Sequence, residues 1–259
     1  MANVFQRTSP PTASVAAHVA DPSQLITPGN LQGKTAHFEV YVDPALSADG
    51  AQDGQGVLAK CENDYAAVSG YFGGAPAGPF RVVLFADPGG AYHFGCGATD
   101  LFCDARTGPA NPDFSEFLNV AEFVEVFEAV QAGGWDCGKS NGEGLSRVLA
   151  TDAYPKQLDG FSTAAAWLDS ARQNFVDHTF GGDTDPAANG CSVLFLNWLR
   201  FQLSYSWAQI VAAAAPTLAQ TYAKLTGKND GFKAFEALVN GRFPKGRPSG
   251  LTTDNPFPI

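Results

Sequence analysis

The chain has 259 residues, of which 26 are Asp or Glu and 16 are Lys or Arg, so its formal net charge at pH 7 is −10. This acidity argues against a nucleic-acid-binding protein, which needs a basic face for phosphates, and against adhesion to an anionic membrane surface. Hydrophobic residues make up 45% of the chain, a share typical of globular proteins, and no apolar run approaches the roughly 20 residues that cross a bilayer.

The first half of the chain predicts strands and one helix. Residues 1–33 are rich in Pro, Ser, Thr and Ala and predict an extended arm. Residues 37–42 alternate as in a strand, residues 56–72 show helical spacing that ends at two glycines, and residues 80–86 predict a buried strand. The segment 91–112 that follows is predicted to be rich in loops.

The second half predicts helices almost throughout. The expected helices are 114–131, 141–150, 161–170, 191–206, 207–226 with a break at Pro216, and 231–239. We therefore expect an α+β fold in which a small strand-containing N-terminal region packs on a mostly helical C-terminal half. The expected boundaries are an arm over 1–33, an α/β subdomain over 34–112, a helical subdomain over 113–243 and a surface tail over 244–259.

The cysteines and the single methionine indicate an exported protein. The only Met is the first residue, and the first thirty residues contain no signal peptide, so we expect a mature secreted or periplasmic chain whose signal has been removed. No cysteine pair has a Cys-x-x-Cys spacing. We expect disulfides Cys96–Cys103 and Cys137–Cys191, with Cys61 left free; five reduced thiols are the alternative.

The helix predicted over 114–131 combines an apolar sequence with three glutamates. Glu122 and Glu125 lie 60° apart on its surface, about one turn from each other, and Glu128 follows. Two carboxylates this close in a poorly hydrated site do not both ionise freely, and such pairs serve hydrolytic acid–base chemistry. The alternative is that these glutamates reach solvent or pair with an arginine such as Arg147.

A second helix start follows a loop that contains Trp135. Ser140 or Asn141 provides an N-cap, and Glu143 occupies the first turn. Glu143 and Arg147 are four residues apart, a spacing that favours an ion pair.

The order of these elements resembles the gluzincin zinc metallopeptidases, the thermolysin-like and aminopeptidase-like clan. In that clan one helix carries His-Glu-x-x-His, and a later helix carries a third zinc ligand within Asn-Glu-Gly. The resemblance places Ala121 at the first histidine, Glu122 at the general base and Glu125 at the second histidine. It places Glu143 at the third ligand. It extends over roughly residues 35–240. The quoted motifs are Ala121-Glu122-Phe123-Val124-Glu125 and Glu143-Gly144-Leu145.

The departure from this pattern concerns the metal. Neither histidine position holds an imidazole, so we expect no catalytic zinc, and any bound ion should be a hard cation such as calcium or magnesium. The histidines lie outside both helices, and His93 and His178 are the two that loops bring nearest. Asp183 and Asp185 imitate part of a calcium loop, but a solvated turn is favoured there.

We therefore expect a hydrolase-like protein on a metallopeptidase-type scaffold that cleaves a peptide or glycan through Glu122, Glu125 and Glu143. One protonated and one ionised carboxyl group is the requirement for glycoside hydrolysis. Two alternatives stay open. The first is a non-catalytic pseudoenzyme that binds a ligand or a protein partner, and the second is a zinc metallopeptidase with an unusual site.

Three further residues are candidates for substrate binding. Tyr92 and His93 precede the acidic helix, and Tyr154 follows Glu143. Arg200 and Arg172, like Arg147, are candidate counter-charges for the glutamates. They would make the cluster structural rather than catalytic.

Overall fold

The computed structural model describes residues 29–74, 77–86, 90–105, 108–158, 161–182 and 184–259. It shows a mixed α+β fold with a small five-stranded sheet and a helical C-terminal half. Most of the predicted arm and Asp183 lie outside the described residues. Among the described residues, no helix combines the length and hydrophobicity needed to cross a bilayer.

The sheet has the strand order β1-β2-β3-β5-β4. Strands β2, β3 and β5 run parallel, and both edge strands, β1 and β4, are antiparallel to their neighbours. Alternate residues of these strands face the main hydrophobic core or a smaller cluster on the opposite face. The strands are β1 (Asn30–Lys34), β2 (Phe38–Val42), β3 (Phe80–Phe85), β4 (Ala91–Tyr92) and β5 (Asp100–Asp104).

Three features of the sheet differ from the sequence prediction. The last residues assigned to the arm form β1, which pairs with β2. The segment predicted to be rich in loops contains β4 and β5. Strand β4 is only two residues long, too short for hydrophobic periodicity to reveal, and the five residues of β5 show no alternation of polar and apolar side chains.

Helix α1 (Ser47–Tyr71) covers one face of the sheet and begins nine residues before its predicted start. The early turns contain Gly50, Gly54 and Gly56, which have low helix propensity and hide the helix in the sequence. At Gly54 a Cβ would lie 2.8 Å from side-chain carbons of Val42 and Gln32. The glycine thus lets α1 approach the sheet closely, and packing outweighs propensity.

The helical half is built around α2 (Pro112–Gln131), which contacts α1, β4 and β5 and is buried on nearly all sides. The side chain of Asn111 caps it by accepting a hydrogen bond from the backbone N–H of Phe114, and Pro112 occupies the first turn. The remaining helices are α3 (Ser140–Ala153), α4 (Ala164–Leu168), α5 (Pro186–Asn197) with a π-helical extension over Trp198–Gln202, α6 (Trp207–Ala212), α7 (Leu218–Thr226) and α8 (Gly231–Arg242).

The C-terminal tail was predicted to lie on the surface, but part of it is buried. Asp254 and Phe257 are buried, and one carboxylate oxygen of Asp254 accepts hydrogen bonds from the backbone N–H groups of Thr163 and Ala164. These donors lie at the start of α4, so Asp254 anchors the tail there. Its Pro- and Gly-rich composition gave no sign of this anchor.

The cysteine pairing is also different from the prediction. Cys96 is bonded to Cys137, and their Cα atoms are 5.7 Å apart. Cys103 and Cys191 are buried free thiols within β5 and α5, so both predicted bridges are wrong. Their side chains belong to the main core, where neither faces its predicted partner. Cys61 is free, as predicted.

Candidate functional site: a buried glutamate–histidine cluster

Helix α2 carries its glutamates into the protein interior. The side chains of Glu122, Glu125 and Glu128 are at most 1% exposed. Burial raises the pKa of Glu125 and Glu128 well above the ordinary value, because the charged form loses its hydration. The charges of Glu122, Glu143 and Glu128 raise the pKa of Glu125 further. The glutamates identified in the sequence are therefore brought together.

Glu143 joins the cluster from the first turn of α3. Arg147 donates from Nε to Glu143 Oε1 at 2.6 Å, and both side chains are buried, so the predicted pair is confirmed. The hydroxyl of Ser146 donates to Glu125 at 3.2 Å and links α3 to α2. The other candidate counter-charges lie elsewhere: Arg172 bonds to Asn240, and Arg200 lies over aromatic rings.

Two glycines allow α3 to approach its neighbours. A Cβ at Gly142 would collide with the side chain of Glu128 and the backbone of Asp136. A Cβ at Gly144 would lie 2.6 Å from the Cβ of Ser192 on α5. The Gly142-Glu143-Gly144 sequence thus meets the steric requirements of this helix–helix contact.

His93 completes the cluster from the end of strand β4. Its Nδ1 lies 2.7 Å from Glu122 Oε2, and its Nε2 lies 3.8 Å from Glu125 Oε2. The histidine side chain is 2% exposed. Because side chains alternate along a strand, Ala91 and His93 share the face that packs against α2. The structure brings His93 between the two glutamates, and its role in substrate binding stays a prediction.

The other two predicted substrate-binding residues lie outside this cluster. Tyr92 occupies the opposite face of the sheet, where its ring stacks on Phe102 with centroids 5.0 Å apart. Tyr154 follows α3, and its hydroxyl donates to Asp64 at 2.5 Å. Tyr154 and Asp64 line a separate cavity of about 340 Å³.

Cys137 brings sulfur to the edge of the cluster. It lies in the loop between α2 and α3, and its disulfide with Cys96 ties this loop to the segment after β4. One ring nitrogen of His93, one carboxylate oxygen of Glu125 and Sγ of Cys137 lie within 4.8 Å of one another. Sequence reasoning missed this grouping. The available signal was the His-x-x-Cys spacing of His93 and Cys96.

The zinc site implied by the gluzincin resemblance does not fit the residues at its positions. Ala121 offers no donor atom, and Glu125 replaces an imidazole. Glu143 is committed to Arg147. No family model, curated protein or solved structure matches this chain.

Proposed function

We propose that the chain is a hydrolase-like protein on a metallopeptidase-type scaffold whose centre is closed by His93 and is non-catalytic. The supporting observation is the position of the imidazole, 2.7 Å from Glu122 and 3.8 Å from Glu125. All three side chains are at most 2% exposed. A hydrolytic centre must admit both water and the scissile bond, and side chains this deeply buried make almost no contact with solvent.

Hydrolysis by the same residues is the second candidate. Glu122 holds the imidazole at Nδ1, which is the arrangement of a histidine general base oriented by a carboxylate. The raised pKa of Glu125 keeps a protonated acid beside it, so a base and an acid are adjacent. This candidate requires the segment after β4 to move away and open the cluster.

A peptide or glycan remains the proposed ligand class, with the cavity beside Tyr154 as its site. The lining includes the tyrosines Tyr71 and Tyr154, the carboxylates Asp64 and Asp152, and Lys60. Tyrosine rings and carboxylates provide the stacking surfaces and hydrogen-bond acceptors that sugars and peptides use.

The test is a hydrolysis screen of the purified chain against a peptide library and a panel of aryl glycosides. Glu122→Gln removes the carboxylate that holds His93. Glu116→Gln is the matched control, since Glu116 is also buried on α2 but adjoins Asp64. We expect no turnover above that of either variant. Turnover that is lost in Glu122→Gln and kept in Glu116→Gln would establish the hydrolase instead.

A further inference from the structure

The imidazole of His93 has the surroundings of a metal-ligating histidine. A histidine that binds a metal through one ring nitrogen usually donates the N–H of the other to a carboxylate, which fixes the tautomer and the ring orientation. Nδ1 of His93 lies 2.7 Å from Glu122 Oε2. Nε2 is buried and forms no hydrogen bond. With the proton on Nδ1, the lone pair of Nε2 is left as a ligand in the interior of the protein.

Further donors of suitable chemistry lie near this imidazole. Nε2 lies 3.8 Å from Glu125 Oε2, and a ring nitrogen of His93, a carboxylate oxygen of Glu125 and Cys137 Sγ all lie within 4.8 Å of one another. Cys96 Sγ is bonded directly to Cys137 Sγ and is therefore next to the same point. Imidazole, thiolate and carboxylate are the ligands of zinc, whereas calcium and magnesium take oxygen ligands. These ligands differ from the glutamate carboxylates of the two helices, which the sequence predicted would hold any bound ion.

The disulfide withholds these sulfurs, because a metal binds the thiolate. We propose that reduction of the Cys96–Cys137 disulfide turns this cluster into a tetrahedral site for a zinc-class ion, held by His93, Glu125, Cys137 and Cys96. A dithiol reductant supplies two electrons and two protons, the S–S bond breaks, two thiols form, and the reductant becomes a disulfide. The incoming ion then displaces both thiol protons into solvent.

This inference goes beyond the proposed function, because metal binding does not require hydrolysis. The ligands come from two loops and from Glu125, and neither Ala121 nor Glu143 takes part. The disulfide closes the site in an oxidising compartment, and a reducing one opens it. The bound state of the metal therefore reports the redox state of the surroundings.

The test is equilibrium dialysis of the full chain against Zn²⁺, with metal quantified by mass spectrometry and Co²⁺ as a spectroscopic probe. A water-soluble phosphine serves as reductant. Its phosphorus supplies the two electrons that break the S–S bond and takes oxygen from water to become the phosphine oxide, while the two protons of that water protonate the thiolates. We expect binding of about one ion per reduced chain, at least about tenfold tighter than to the oxidised chain. Co²⁺ should show a thiolate charge-transfer band only after reduction.

Four variants separate the site from general effects of reduction. Cys96→Ser frees Cys137 without a reductant and should bind Zn²⁺ in the absence of phosphine. Cys137→Ser and His93→Gln should each bind at least about tenfold more weakly than the reduced wild type. Cys61→Ser is the control, because this free thiol lies in α1 outside the cluster, and should bind like the wild type.

Three results would overturn the inference. They are no Zn²⁺ binding by the reduced chain, unchanged binding in Cys137→Ser and His93→Gln, or loss of the far-ultraviolet circular dichroism of the fold on reduction. Each is independent of the hydrolysis screen. Failure of the metal site and failure of the proposed closed centre can therefore be told apart.

Discussion

Helix α2 supplies buried carboxyl groups to two regions that neutralise them differently. In the first, Glu122 and Glu125 face His93, and the Cys96–Cys137 disulfide lies beside them. In the second, burial and the charge of Asp64 raise the pKa of Glu116. The hydrogen bond between the two carboxyl groups raises the pKa of Glu116 further.

The two regions also differ in their access to solvent. The carboxyl groups beside His93 are nearly inaccessible, whereas Asp64 lines a cavity of about 340 Å³ together with Lys60 and Tyr154. One helix thus contributes carboxyl groups to a closed centre and, through Val120, part of the wall of an open cavity. Clustered carboxylates alone do not identify a catalytic site, since access and the neutralising partner decide what they can do.

The largest effect should come from Arg147→Met. This variant tests whether the buried glutamate–histidine cluster depends on the positive charge of Arg147. Arg147 and Glu143 form a fully buried pair, and removal of one partner leaves a buried charge without its counter-ion. We expect a loss of about 3–5 kcal/mol in the free energy of unfolding, measured by urea denaturation. The double variant with Glu143→Gln should lose clearly less than the sum of the single variants. Additive losses would mean that the interaction between Glu143 and Arg147 does not contribute to the free energy of unfolding.

The disulfide should have the next largest effect. Cys96 and Cys137 are separated by 41 residues, and opening a loop of this length raises the entropy of the unfolded chain. We expect the Cys96→Ala/Cys137→Ala variant to lose about 2–4 kcal/mol in the free energy of unfolding. The reduced wild type should show the same loss by urea denaturation. Equal free energies of unfolding for the oxidised and reduced chains would show that this disulfide does not stabilise the fold.

Much of the fold could be predicted because the strongest periodic segments coincide with real elements. The predicted helix 114–131 corresponds to Pro112–Gln131, and the predicted strand 80–86 corresponds to Phe80–Phe85. Prediction failed where tertiary contacts decide. The early turns of α1 contain three glycines, and strand β4 is only two residues long.

The candidate site, like the fold, could be predicted from the sequence only in part. The convergence of Glu122 and Glu125 follows from helix geometry, which is local and therefore visible in the sequence. The position of His93 depends on the direction in which this first residue after β4 points. The bridge from Cys96 to Cys137 depends on the packing of two loops that are distant in sequence. The His-x-x-Cys spacing of His93 and Cys96 is a local signal, but it does not reveal that His93 meets Glu122 or that Cys96 meets Cys137.

Tyr154→Phe tests the region around the cavity lined by Asp64 and Tyr154. It removes the hydroxyl that donates a hydrogen bond to Asp64 at 2.5 Å. A hydrogen bond to a charged group contributes about 1.5–3 kcal/mol, so we expect a loss of that order in the free energy of unfolding. Tyr71→Phe is the matched control, because Tyr71 lines the same cavity and should cost about 0.5 kcal/mol or less. Equal losses in the two variants would show that the hydrogen bond from Tyr154 to Asp64 adds nothing to the stability of the fold.

The last effect concerns Asp53 in α1, a buried carboxyl group whose pKa is raised mainly by burial. Burial and the charge of Asp49 raise the pKa of Asp53 to about 6, against a hydrogen bond from the backbone of Asn111. Between pH 4 and pH 6 the unfolded chain releases this proton while the folded chain keeps it. The contribution of Asp53 to stability therefore falls as the pH rises through this window.

The Asp53→Asn variant should not show this fall. The pKa difference of about two corresponds to at most about 3 kcal/mol, so the variant should gain on the wild type by up to that amount between pH 4 and pH 7. Urea midpoints at both values measure the gain, and a difference between the two proteins that stays constant with pH would contradict it. A gain of the expected sign gives the cost of burying a carboxylate that is helped only by a backbone hydrogen bond from Asn111. The imidazole of His93 and the hydrogen bond between Glu116 and Asp64 must offset this same kind of cost in the two regions of α2.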